Sequence, residues 1–145
     1  MNVNTPISLL FVCVENSNRS QMAEAFARIH GGDTVEAYSA GSKPSGVINP
    51  KAIAAMAELG YDLSRHKSLS LTDIPDINFD FVATMGCGDA CPFVQAKDRG
   101  DWGIPDPKNL GVHEFRQVRD EIETRVRSVL KKLTLVRVDS PAAQK

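Results

Sequence analysis

The strongest constraint on the fold of this chain is a stretch near its start, where a short apolar run, a polar loop and a helical pattern follow one another. Residues 7–12 are apolar and rich in β-formers, which is typical of a buried parallel strand. Ser20 is expected to cap the helix that follows. Apolar residues then recur at helical spacing, at Met22, Ala23, Phe26, Ala27 and Ile29. A strand that feeds a helix through a short loop predicts the first unit of a parallel sheet.

The loop between them, residues 13–20, places Cys13 six positions before Arg19. Backbone N–H groups at a helix N-terminus can form an anion-binding nest, and Arg19 adds a planar fork for two oxygens of a tetrahedral oxyanion. The same positive environment favours the thiolate of Cys13, which is its nucleophilic form. The loop therefore predicts binding of a phosphate-like anion and attack on its central atom. The alternative is a small apolar cysteine at a strand end, with Arg19 on the surface.

Strands and helices alternate along the rest of the chain. Further strands are predicted at residues 34–40, 79–85 and 101–102. Further helical segments are predicted at residues 50–60, 71–74 and 113–133, before a loosely held polar tail at residues 134–145. This order predicts one α/β domain over residues 1–145, a small three-layer fold with a central four-stranded parallel sheet and helices on both faces. Because ligand sites gather at the carboxyl ends of such strands, the Cys13 loop and Cys87 are expected at the same edge.

Composition narrows the classes of function. The chain has 145 residues, of which 42% are hydrophobic and 24% charged, and a formal net charge of -1, which disfavours a general nucleic-acid-binding surface. No apolar stretch approaches the roughly 20 residues of a membrane span, and residues 1–6 lack a signal-peptide pattern. An odd number of cysteines, three, does not form a fully paired secretory framework. A cytoplasmic monomer that binds neither membrane nor nucleic acid is expected.

The stretch from Val12 to Ala25 resembles the low-molecular-weight protein tyrosine phosphatase superfamily, and more closely its arsenate reductase branch. Three further blocks agree in the same order: residues 39–42 (Ser-Ala-Gly-Ser), the Asn49-Pro50 pair with its helix, and residues 102–107 (Trp-Gly-Ile-Pro-Asp-Pro). The resemblance covers residues 7–133 and implies an oxyanion-binding loop formed by Val14, Glu15, Asn16, Ser17, Asn18, Arg19 and Ser20.

The resemblance also implies roles for the three thiols. In arsenate reductases of this kind, a first thiol attacks arsenate, a second attacks the adduct and releases arsenite, and a third carries the disulfide outward. These roles fall to Cys13, Cys87 and Cys91, and Asp106 matches the general acid of the family. No tightly bound cofactor is implied. The reductant would be thioredoxin, with glutathione and glutaredoxin as the alternative.

Two other functions stay open at this point. A phosphomonoesterase would use Cys13, Arg19 and Asp106 without electron chemistry, and a non-enzymatic module would use the Cys87–Cys91 pair as a redox switch. Phosphatases of the family carry a cysteine where Asn18 stands, and tyrosines where Lys108 and its neighbour Asn109 stand. Both differences disfavour the phosphatase function. Glu15 replaces a glycine of many relatives and lowers oxyanion affinity only if its side chain points inward.

Further predictions concern a cation and two histidines. In some relatives, residues matching Asn16, Glu24, Ser39 and Asp62 surround a potassium ion, and oxygen-bearing side chains stand at all four places here. The alternative is that Glu24 is a solvated helix residue and Ser39 a loop residue. His66 and His113 do not complete a zinc site with the cysteines and are expected at the solvated surface.

Overall fold

The computed structural model describes residues 5–86 and 94–139, the last four of them as backbone alone. Its strands are β1 (Ile7–Cys13), β2 (Val35–Gly41), β3 (Phe81–Thr84) and β4 (Arg99–Asp101). Its α-helices are α1 (Arg19–Gly31), α2 (Pro50–Ala57) and α3 (Val112–Asp139). Single 3-10 turns occupy Gly32–Thr34, Leu63–Arg65 and Leu71–Asp73.

The four strands form one parallel sheet in the order β2-β1-β3-β4, which confirms the predicted four-stranded parallel sheet. Cys13 at the end of β1 lies opposite Gly41 at the end of β2, and Val12 lies opposite Thr84 at the end of β3. The strands therefore end together, so that the connections after all four meet at one edge of the sheet.

Each face of the sheet is covered by helical elements, because successive residues of β1 point to opposite sides. On one face, Leu9 and Phe11 pack with the apolar stripes of all three α-helices, which include Met22, Met56 and Ile122. On the other face, a smaller cluster is covered by the 3-10 turn at Leu71–Asp73 and by its neighbour Ile74, and consists of Leu10, Val12, Ala40, Phe79 and Val82. In the parts of the chain that the structure describes, no helix has the length and hydropathy that a bilayer crossing requires.

The structure corrects three local predictions. Ser20 lies inside α1, and the residue at the N-cap position is Asn18, whose side chain makes no cap hydrogen bond. Residues 134–139 continue α3 instead of starting the tail, because no glycine or proline interrupts the helical hydrogen bonds before Pro141. The last strand runs over Arg99–Asp101, two residues earlier than predicted at its start.

Candidate active site

Hydrogen-bond donors hold the loop between β1 and α1 by its carbonyl groups. Val14 O accepts from Lys43 N at 2.8 Å, Glu15 O from Ser45 N at 3.0 Å, and Ser17 O from Asn49 N at 3.0 Å. The carbonyls of Asn16 and Asn18 accept from Gln21 Nε2 and Met22 N of α1.

These contacts orient the amide groups of the loop. In a trans peptide the C=O of one residue and the N–H of the next point in opposite directions, and the described chain has no cis peptide bond. The N–H groups of Glu15, Asn16 and Asn18 therefore point away from the outer donors, to the inner side of the loop. Asn16 has a φ of 50°, and a left-handed residue in a turn of this kind is a feature of anion-binding nests.

The close approach of β2 to this loop requires a glycine. A Cβ atom on Gly41 would lie 2.5 Å from Val14 O, well inside the contact distance of two heavy atoms. Within the Ser-Ala-Gly-Ser block, Gly41 thus has a steric reason, because any larger residue at this position would push the loop out of place.

Cys13 is a free thiol at the floor of the loop, 2% exposed. Its Sγ lies 2.8 Å from Ser20 Oγ, which in turn accepts a hydrogen bond from Asn16 Nδ2 at 2.8 Å. When Cys13 is a thiolate its sulfur can only accept, so the Ser20 hydroxyl is then the donor in this contact. A donor at this place stabilises negative charge on the sulfur.

Arg19 joins the loop to two other strand ends. Its Nη1 donates to Met85 O at 3.0 Å, just after β3, and to Ile104 O at 2.8 Å, after β4. Nη1 carries two hydrogens, so these carbonyls use both of them, and Nε and Nη2 remain as the edge that suits two oxygens of an oxyanion. Arg19 thus ties the oxyanion loop to the segments that lead to Cys87 and to Asp106.

The rim of this site is the edge of the loop where Lys108 contacts both Glu15 and Asp106. Asp106 is exposed, and its Oδ1 accepts from Lys108 N at 3.1 Å, which orients the carboxyl group. The Glu15 side chain is half exposed and points outward, where its Oε2 lies 3.6 Å from Lys108 Nζ. Of the two orientations considered from the sequence, Glu15 adopts the one directed to solvent. Cys87 and Cys91 lie outside the described residues.

A chain of buried side chains connects the loop to α1 and to the 3-10 turn at Leu63–Arg65, and pattern analysis missed it. Gln21 Nε2 donates to Asn16 Oδ1 at 2.8 Å, and Gln21 Oε1 lies 2.9 Å from His66 Nδ1. His66 Nε2 lies 2.6 Å from the hydroxyl of Tyr61. Since Gln21 Oε1 can only accept, His66 carries its hydrogen on Nδ1 and accepts from Tyr61. His66 is a buried member of this network, so the prediction of a solvated surface histidine was wrong, although the exposed position of His113 was confirmed.

The four residues of the predicted potassium site make protein contacts. Glu24 accepts from Ser39 Oγ at 2.6 Å and pairs with Arg28 at 2.8 Å, while Asp62 caps the 3-10 turn through Ser64 N. Ser39 is buried in β2 and Glu24 is only 12% exposed, so Ser39 is not the loop residue and Glu24 not the solvated helix residue of the alternative. Within residues 5–86 and 94–139, no group of three His, Cys, Asp or Glu side chains could hold a metal. Potassium binding stays a prediction. The oxygens of Glu24 and Asp62 that the ion would need already accept hydrogen bonds from protein donors.

The pKa of His66 makes the stability of the fold dependent on pH. Burial lowers this pKa below its usual 6.5, against the opposing effect of Glu24. The unfolded chain therefore binds a proton more readily below pH 6.5, so that the free energy of unfolding decreases as the pH falls from there, by at most about 1.4 kcal/mol per pH unit for one group. We expect His66→Asn, whose amide N–H can replace Nδ1–H, to flatten this slope in urea unfolding. His113→Asn is the exposed control, and an equal flattening in both variants would contradict the assignment.

The described geometry can seat a tetrahedral oxyanion. The inward N–H groups and the free edge of Arg19 supply donors, the Cys13 sulfur lies below them, and a carboxyl group stands at the rim. This arrangement supports attack of sulfur on the central atom of the anion, with transfer of a proton to the departing oxygen.

Comparisons with known proteins agree with this arrangement over nearly the whole chain. Residues 8–137 match the family of the low molecular weight phosphotyrosine protein phosphatase. Arsenate reductase 2 of Staphylococcus haemolyticus is 43% identical over 126 residues, which cover 83% of this chain and 94% of that protein. The solved structure of an arsenate reductase in the phosphate binding state is 35% identical, with a TM-score of 0.80, and the match covers 87% of this chain and 98% of that one. The thioredoxin-dependent arsenate reductase of Corynebacterium glutamicum is 33% identical, with a TM-score of 0.72 and coverage of 92% and 65%.

Proposed function

This chain belongs to the low molecular weight phosphotyrosine protein phosphatase family, and we propose that within it the protein is an arsenate reductase that uses a relay of three thiols. The observation that carries the proposal is the buried Cys13 sulfur at the floor of a loop whose Val14, Glu15 and Ser17 carbonyls accept from donors outside it. The similarity to arsenate reductases over most of the length of both chains supports arsenate as the oxyanion.

The first step forms a bond between the Cys13 sulfur and arsenic. A hydroxyl group of arsenate takes a proton from Asp106 and leaves as water, while the donors of the loop and of Arg19 hold the remaining oxygens. Ser20 supports this step because its hydroxyl lies 2.8 Å from the Cys13 sulfur and can donate to the attacking thiolate.

The second step is the reduction. The Cys87 thiolate attacks the sulfur of Cys13, an S–S bond forms, and the electron pair of the S–As bond moves to arsenic, which leaves as arsenite. Cys91 then attacks Cys87 and restores the Cys13 thiolate, so that a Cys87–Cys91 disulfide remains. An external dithiol reduces this disulfide and closes the cycle.

The position of Met85 supports the role of Cys87. Arg19 holds Met85 O at 3.0 Å, and Met85 N donates to Val12 O at 2.9 Å, so this residue is fixed beside the oxyanion loop. Cys87 follows two residues later, and two extended residues span at most about 7 Å. Asn18 occupies the position before Arg19, so the loop offers no second thiol of its own to Cys13.

Thioredoxin is the proposed reductant, and glutathione with glutaredoxin is the alternative. The similarity to a thioredoxin-dependent arsenate reductase of C. glutamicum favours thioredoxin. A relay of free thiols requires a reducing compartment, so we place the protein in the cytoplasm, as a monomer.

The proposal is tested by NADPH oxidation. With arsenate, thioredoxin and thioredoxin reductase, the protein is expected to oxidise NADPH at a rate that depends on arsenate, since each arsenite released leaves one disulfide to be reduced. Replacement of thioredoxin by glutathione and glutaredoxin should give a much slower rate, and inorganic phosphate should compete with arsenate. Equal background rates with and without arsenate in both systems would overturn the proposed function.

A phosphomonoesterase is the second candidate, because Asp106 lies at the rim with its carboxyl group oriented by Lys108 N. That enzyme would hydrolyse aryl phosphates and would not use Cys87 or Cys91. Arsenate reduction with thioredoxin excludes it as the main activity. Absence of both activities would instead favour the redox-sensing module.

A further inference from the structure

Glu15 and Lys108, which we call the rim pair, connect two segments that the proposed function places on opposite sides of the bound anion. The backbone of Glu15 is fixed in the oxyanion loop, where its carbonyl accepts from Ser45 N and from Ser68 Oγ, each at 3.0 Å. Its carboxylate leaves the loop and lies 3.6 Å from Lys108 Nζ. Lys108 follows Asp106 by two residues and donates its N–H to that carboxyl group.

The Lys108 side of the pair is also anchored. Lys51 Nζ, at the start of α2, donates to Lys108 O at 2.8 Å and to Leu110 O at 3.2 Å. The segment that carries Asp106 is thereby held against α2, and the rim pair joins this anchored segment to the oxyanion loop. Because the backbone is fixed on both sides, the rim pair has a defined position, although both of its side chains are half exposed.

Glu15 is the only acidic residue of residues 13–20, and its charge opposes binding of an anion. Lys108 offsets this charge at 3.6 Å, and Lys51 places a second ammonium group 2.8 Å from the carbonyl of Lys108. Lys108 therefore acts on oxyanion affinity through Glu15, and the two charges should matter less as salt screens them.

The rim pair also borders the path of a leaving group. An inorganic oxyanion fits within the loop, whereas a phosphomonoester must extend its alcohol past Asp106, the acid that protonates the ester oxygen. Lys108 pairs with Glu15 of the loop while its N–H donates to the Asp106 carboxyl group, so the rim pair lies between the loop and this acid. A bulky alcohol must break this ion pair and finds two charged side chains in place of an apolar or aromatic surface.

We propose that Glu15 and Lys108 are specificity-determining residues, which admit small inorganic oxyanions and disfavour phosphomonoesters of bulky alcohols. The inference rests on the proposed function in one respect, namely that the loop binds the oxyanion beside Asp106. It goes further in assigning the choice of substrate to a pair of residues outside the reacting groups.

The test measures binding only, so it does not require turnover. Alkylation of Cys13 by iodoacetamide is followed by mass spectrometry of its peptide, and protection by inorganic phosphate or by phenylphosphonate gives two apparent dissociation constants. Their ratio reports specificity. The control pair, Asp98 and Lys132, has a distance of 3.4 Å and a similarly exposed carboxylate, although its lysine is more exposed, and it lies at the amino end of β4, away from the site.

The charge part of the proposal predicts a cycle of effects. Lys108→Met is expected to weaken phosphate protection about two- to fivefold because Glu15 is left unpaired, and Glu15→Gln to strengthen it about twofold. The double variant should return to within about twofold of the unmodified protein, and about 0.5 M KCl should reduce all these differences. Lys132→Met and Asp98→Asn should change nothing at this site.

The specificity part is tested by shortening both side chains. Glu15→Ala with Lys108→Ala is expected to improve phenylphosphonate protection relative to phosphate protection about fivefold, since it opens the path past Asp106. An unchanged ratio, or single-charge effects no larger than those of the control pair, would overturn the inference. Failure of arsenate reduction alone would overturn the proposed function. The ratio of phenylphosphonate to phosphate protection would still test the role of the rim pair.

Discussion

Replacing Cys13 with serine is expected to abolish arsenate reduction and aryl phosphate hydrolysis together, each by at least about 10³-fold. The physical reason is that both reactions begin with attack by the same buried sulfur, and a serine hydroxyl is a far weaker nucleophile at neutral pH. A serine at position 13 retains a hydrogen-bonding group at the position that contacts Ser20 Oγ, so the loop should stay folded. The measurement is the initial rate of each reaction with purified protein.

Phosphate binding provides the control for this variant. Calorimetric titration with inorganic phosphate should give an affinity within about threefold of that of the unmodified protein, because the N–H groups and Arg19 are untouched. A variant that binds phosphate and still reduces arsenate would show that the nucleophile lies elsewhere.

Replacing Cys87 with serine is expected to separate the two activities. Steady-state arsenate reduction with thioredoxin should decrease more than about 100-fold, because no thiolate remains to take the Cys13 sulfur from arsenic. Hydrolysis of an aryl phosphate should stay within about twofold, since that reaction needs only Cys13, Arg19 and Asp106. Both rates are measured on the same preparation, so the hydrolysis rate also reports correct folding.

Cys91→Ser is the matched control for this experiment. Its Cys87 remains, so one arsenite per chain should be released before turnover stops, whereas Cys87→Ser should release none. Retention of full arsenate turnover in Cys87→Ser would exclude the relay, and loss of hydrolysis as well would show that Cys87 has a structural role instead.

The first strand, the loop and α1 could be predicted from the sequence because their signals are local. Apolar residues without alternation over residues 7–12 indicated a strand buried on both faces, and the helical spacing from Met22 onward indicated the stripe that packs on it. The Pro50 that opens α2, with Asn49 as its side-chain cap, is a local signal of the same kind.

Ser20 shows where local rules fail. A serine before an apolar helical pattern is a good N-cap candidate, yet α1 begins at Arg19 and the hydroxyl of Ser20 is used by Cys13 and Asn16. The N-cap propensity of serine is the same whether or not its hydroxyl has another partner. The course of the chain from the end of β1 into α1 places the Ser20 hydroxyl beside Cys13 and Asn16, and this decides its partners.

What the sequence by itself determined about this protein is therefore the order of its elements and the reactive pair of Cys13 and Arg19, since both depend on residues close together in the chain. Only the tertiary structure decided the contacts of His66 with Gln21 and of Lys108 with Glu15, which are separated by 45 and 93 positions. The parallel sheet brings such residues together because the connections after its strands all emerge at one edge, and no spacing within a single segment records which side chains meet there.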